Sequence, residues 1–207
     1  MPIVRRSNRG VAAVAVSSVD PLLREALDQI TWRYRGLEVG EQIEEVERLR
    51  DQFPHSITVR QRVTDARPGD NQFTCFMHAL DLSAPPSLVV NIMKRFNHVY
   101  PGAEFIRLLI EHQLLKAISK PEEGAVLVYA LDGTPKHAGK FAGDMVVSKW
   151  GLGHVWQHHM FEVPASYGDS VDVFGRVDSE TAAAWFVEYA TAQVGADTIA
   201  LLKGSDA

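Results

Sequence analysis

The sequence predicts an α+β fold on three observations. Apolar residues recur at helical spacing through much of residues 21–119. Between Gly124 and Trp150 the texture changes to short β-rich runs divided by Asp132-Gly133 and Gly143-Asp144. After Ser179 helical spacing returns. Helices first, then an antiparallel meander, then a helix is the segregated order of an α+β chain. The length of 207 residues and apolar content of 46% suit one ordinary domain with an embellishment.

The elements follow in order. Asp20-Pro21 reads as an N-cap with proline at the first helical position, and Leu22, Leu23, Ala26, Leu27 and Ile30 continue to about Tyr34, with Gly36 closing the helix. A second helix follows Gly40, with Ile43, Val46 and Leu49 inward and Glu41, Glu44, Glu45 and Glu47 on a solvated face; Phe53-Pro54 ends it. This helical hairpin makes residues 1–66 an N-terminal extension. Residues 67–195 form the main domain and 196–207 a tail, polar and frayed from Lys203. Ser56–Val63 alternates as a strand, and Arg67-Pro68-Gly69-Asp70-Asn71 is a turn. Thr74 caps a helix from Cys75 to about Leu82, and Pro85-Pro86 breaks it. Helices are expected over Ser87–His98 and Glu104–Ser119. Strands follow at 124–131, 136–142 and 145–150, then a polar aromatic stretch from His154 to Met160, a turn at Pro164–Asp169 and a strand at Ser170–Val177. Ser179 caps the last helix, which ends near Gly195.

Composition excludes several classes. A net charge of −5 without clustered Lys or Arg argues against a nucleic-acid or acidic-membrane partner. No apolar run reaches the roughly 18 residues of a membrane span. Arg5, Arg6 and Arg9 precede Gly10–Val16, but that run is short and alanine-rich, so it reads as a leader or edge strand rather than a signal peptide. The expected location is the cytoplasm, with injection or atypical secretion open. The single cysteine excludes an internal disulfide framework and a multi-cysteine zinc site. No cofactor is implied.

That cysteine organises the chemistry. Cys75 opens a helix, where amide groups of the first turn favour a thiolate. His137, on a strand beside Ala138 and Gly139, is the candidate proton partner. A catalytic imidazole needs a third group to fix its ring, and Ser148, His154, Gln157 and His158 are the candidates. Ser148 falls near the level of His137 if the two strands pair; whether both face the cysteine helix is a parity left open. His154 and His158 are four apart but lack the glutamate of a zinc protease motif, so surface or interface polarity is the simpler reading and no metal is expected. His78 reads as structural, and the four tryptophans as core and pocket wall.

These residues resemble the papain-like superfamily, closest to its compact NlpC-like branch. The matching pieces are Cys75 with Ala79-Leu80, Gly124-Ala125-Val126-Leu127-Val128-Tyr129, and His137-Ala138-Gly139-Lys140-Phe141. Ser148-Lys149-Trp150-Gly151 falls where the third residue belongs, and also resembles a Ser-Lys-x-Gly segment followed by a histidine in related uncharacterised bacterial proteins, here His154 or His158. Thr74 and Phe76 replace the usual residues around the cysteine. The resemblance covers about residues 70 to 175. It implies a papain-like core, with the cysteine helix on a small antiparallel sheet, flanked by the N-terminal hairpin and the C-terminal helix. It also implies a cysteine hydrolase that cleaves or transfers an amide through a thioester, with Cys75 as nucleophile, His137 as base and Ser148 or His154 third. The substrate would be a peptide, a protein or a peptidoglycan fragment. The alternative is an inactive module of the same fold that binds a protein partner through its N-terminal helices.

Overall fold

The structure is a computed structural model that describes residues 14–15, 19–33, 39–63 and 73–204. The turn expected at 67–71, the arginine-rich start and the helix stop at Gly36 lie outside those residues. At the N-terminal end β1 (Val14–Ala15) is a short strand, as one of the two readings of that stretch expects. Helix α1 (Pro21–Arg33) begins where Asp20 accepts the Leu22 amide at 2.9 Å. Helix α2 (Gln42–Leu49) buries Ile43 and Val46 and leaves its glutamates outward. Strand β2 (Thr58–Gln61) follows. Helix α3 (Cys75–Ala79) is one turn and a half, capped by Thr74 Oγ1 accepting the Met77 amide at 3.1 Å.

Helices α4 (Ser87–Arg95) and α5 (Ala103–Glu111) lead to β3 (Val126–Leu131), β4 (Thr134–Ala142), β5 (Met145–Lys149), β6 (Val155–His158) and β7 (Ser170–Phe174). Helix α5 ends well before Ser119: Gln113 turns with a φ of 57°, and the chain then runs beside β7, where Ala117 bridges Phe174. The stretch left as polar and aromatic is β6. Helix α6 (Ser179–Val194) is capped by Asp178, not Ser179, through the Thr181 amide at 2.8 Å. Gly195, at a φ of 90°, separates it from α7 (Ala196–Gly204), so the expected tail is helical.

All seven strands join one antiparallel sheet in the order β1-β7-β3-β4-β5-β6-β2. Strand β2 pairs with β6, Val59 lying opposite Trp156. Residues before 66 therefore supply both edge strands of the main sheet and are no appended extension. Alternation along the strands sorts side chains into two cores. Val126, Val128 and Ala138 meet α3, α4, α5 and α6 on one face. Leu127, Tyr129, Val146, Val171 and Val173 meet α1 and α2 on the other.

A short 3₁₀ turn at Ala165–Tyr167 fastens α1 to the second face. Gly168 follows it with a φ of 125°, and a Cβ there would lie 2.9 Å from the Ala130 amide nitrogen and closer still to its carbonyl. Gly168→Ala combines backbone strain with a clash against strand backbone, which has no room to give. It is expected to cost about 3 kcal/mol, read as a lower urea midpoint at unchanged slope.

Candidate functional site

Cys75 is half-buried against the first face, where α3 lies across β4 and β5. Burial pushes its thiol up to about 11, against the pull of the Ala138 and Phe76 amides and of the Lys149 ammonium. Lys149 reaches this face because its neighbour Ser148 points to the other. It is almost completely buried (2% exposed), donates from Nζ to the Gly153 carbonyl at 2.7 Å, and lies 5.1 Å from the centre of the Phe73 ring. Burial lowers it to about 8, and the thiol opposes that shift. His78 completes the group, its ring 6.0 Å from Phe73 and its Nε2 without a hydrogen-bond partner among the described residues. Burial and then Lys140 lower it to about 4.

His137 is not in this group. It pairs across the ladder with Tyr129, and partners in an antiparallel ladder share a face. Tyr129 belongs to the α1 side, whereas the next residue, Ala138, faces Cys75. The His137 ring is 1% exposed, stacks on Tyr167 with centroids 3.9 Å apart, and leans on Tyr129 at 5.4 Å. The expected Cys75–His137 pair is thus corrected: sheet backbone separates thiol from imidazole. Burial holds His137 well below the usual histidine range, with His158 and His78 pushing the same way, and its Nε2 has no partner among the described residues.

Ser148 does share a face with His137, lying opposite Gly139 on β4, but it serves another histidine. Its Oγ is 2.8 Å from His158 Nε2, and His158 Nδ1 is 2.8 Å from the His159 carbonyl. A carbonyl only accepts, so Nδ1 carries the proton and Nε2 accepts from the Ser148 hydroxyl. Ser148 in turn accepts from Trp150 Nε1 at 3.1 Å. Every member is satisfied while His158 is neutral, and burial lowers His158 to about 4.

His154, the other expected third residue, is also buried. Its Nδ1 accepts the Val63 amide at 2.9 Å and its ring meets Trp156 edge-on at 5.8 Å. Gly153 lets that loop close, since a Cβ there would collide with the Gln42 side chain, whose Oε1 accepts the His154 amide at 3.4 Å. His154 and His158 are therefore interior groups and not surface polarity. Trp150 and Trp156 are core: they stack at 5.2 Å beneath α1 and α2 and line no pocket around the thiol. Among the described residues no three His, Cys, Asp or Glu side chains come together as a metal site. No helix there is long and apolar enough to cross a membrane.

Sequence reasoning missed Lys149 as the thiol's neighbour. The signal was strand parity: with Ser148 and Trp156 as ladder partners over one core, Lys149 has to face the other way. Compared with family models, curated proteins and solved structures, the chain matches none.

Proposed function

We propose that this chain is a binding module built on a papain-like type of core, with a protein or peptide as partner and its N-terminal helices as the contact surface, and that it does not hydrolyse through Cys75 and His137. One observation carries the reading: the thiol and the imidazole lie on opposite faces of the sheet. A proton cannot pass between them without passing the backbone, and general-base catalysis needs hydrogen-bond reach. The raised thiol supports the same reading, because the thiolate is the nucleophile.

Iodoacetamide alkylation of the native protein at pH 7.5 tests it. A rise from the ordinary value to about 11 leaves about 100-fold less thiolate, so alkylation should run at least about 100-fold slower than that of an unfolded control. A native rate equal to or above the control sinks the reading.

A second reading, a cysteine hydrolase that dispenses with His137, is favoured by one specific arrangement. Amides and the Lys149 ammonium converge on Cys75 from its own face, as they would to hold a thiolate or an oxyanion. Fast alkylation that collapses in Lys149→Met but persists in His137→Phe would select it.

A further inference from the structure

Two histidines that sequence reasoning weighs for catalysis lie buried beneath one layer of the fold. His137 on β4 and His158 on β6 both point into the core covered by α1, α2 and the 3₁₀ turn. His158 is fully buried, and its two ring nitrogens are already committed, one as donor to the His159 carbonyl and one as acceptor from Ser148. Adding a proton at Nε2 turns that acceptor into a donor facing a hydroxyl that already accepts from Trp150. The hydroxyl proton then has no acceptor in the relay, and a full charge sits in a dry core.

Of the described carboxylates, Glu162 favours a charged His158, but burial opposes that charge more strongly. From β3 the pair meets Tyr129, whose hydroxyl donates to the Met160 carbonyl at 2.7 Å, and from the 3₁₀ turn it meets Tyr167. From α1 comes Arg24, a second cation, which donates to the Val163, Pro164 and Gly168 carbonyls; Asp28 and Asp169 lie on its side. After β6 come His159 and Glu162, and the Glu162 carboxylate is taken by the Ser56 amide and hydroxyl and the His159 amide. Trp150, Trp156 and Ser148 are neutral. On the far side of the sheet His78 is only half-buried and has Asp81 beside it, so its protonated form has nearby relief.

We propose that the α1 side of the sheet is an acid-released latch: protonation of His137 and His158 frees α1, α2 and the 3₁₀ turn, while the α3 side stays packed. Two separate cores, one on each face, allow one layer to open without the other. The direction follows from proton linkage. Both imidazoles titrate lower when buried than the ordinary histidine value near 6.5, so the open state binds protons first. Closure is complete above about pH 6.5 and is lost progressively as pH falls toward 4. Glu162, itself held low, joins only at the bottom of that window.

Hydrogen exchange of the full chain, read by mass spectrometry from pH 7 to pH 5 and corrected for intrinsic rates, tests this. Two protons taken up by His137 and His158 on opening should raise the opening constant of α1 and 3₁₀-turn amides by up to about 100-fold per pH unit below 6.5, and His55, whose ring bonds the Val46 carbonyl of α2 and is also lowered by burial, steepens this further where α2 opens. Amides of α5 and α6 should change far less. His158→Gln, which keeps a neutral acceptor for Ser148, should cut the slope by about 10-fold per unit. His137→Phe, which keeps the stack on Tyr167, should do the same, and either variant suffices if the other does not fold. His78→Gln should leave the slope alone. Amides of both faces opening together with one slope, or an unchanged slope in a folded His158→Gln or His137→Phe protein, would overturn the proposal.

Discussion

Trp150→Ala is expected to lower the melting temperature by roughly 10 °C, the largest single loss on this chain. Trp150 has no exposed surface, stacks on Trp156 at 5.2 Å and touches the His158 ring at 5.7 Å. Truncating a buried tryptophan removes its transfer energy and leaves a cavity, about 4 kcal/mol together. For a domain of this length each kcal/mol moves the melting point by about 2–4 °C. The indole also donates to Ser148, so the variant breaks the relay that holds His158 neutral. Trp150→Phe keeps most of the packing and loses only that donor, and should cost about 1–2 kcal/mol. Calorimetry on both variants separates the terms. Equal losses would mean that the hydrogen bond, and not the ring volume, dominates.

Arg24→Met should follow closely, at about 3 kcal/mol. Arg24 is 7% exposed, and its guanidinium ties three carbonyls, Val163, Pro164 and Gly168, to helix α1. Burial lowers its affinity for its proton, yet the neighbouring Asp28 and Asp169 favour the cation. Methionine fills similar space but leaves three buried acceptors without a donor, each costing about 1–3 kcal/mol less whatever water recovers. Arg24→Lys should rescue only part of this, because one ammonium cannot span a fork of three carbonyls. Limited proteolysis should locate the damage to residues 163–168. Cleavage spread evenly over the chain would contradict a local role.

Much of this arrangement is legible in the residues. The helical spacing of Leu23, Leu27 and Ile30 places α1, and Gly143-Asp144 places the β4–β5 turn, because both signals are local. Cys75 falls at a helix start for the same reason: Thr74 is a good cap wherever it occurs. The failure is one of parity. In Lys136-His137-Ala138-Gly139 either His137 or Ala138 could face the thiol, and the choice is set by pairing with β3, which slips register between Tyr129 and Ala130. A shift by one residue exchanges every side chain between faces, so the dyad depended on information that strand composition does not contain. Strand β6 was missed differently. Trp156 and His158 point into the core while Gln157 is only partly covered, and polar residues on both sides hid an ordinary alternation. Helix α7 was hidden by Gly195, a stop signal that here separates two helices.

The edge strands bear on how the chain assembles during synthesis. Val14 and Ala15 pair with β7, and β2 pairs with β6. Each edge strand must wait for a partner far along the chain, β7 (Ser170–Phe174) for β1 and β6 (Val155–His158) for β2. Until then α1 and α2 have no sheet to cover, and their apolar sides, Leu23, Leu27, Ile43 and Val46, stand exposed in the nascent chain. Closing such distant pairs is slow relative to helix formation. The second core thus forms only after β6 and β7 are made, and until then its apolar helix faces are open to association with other chains.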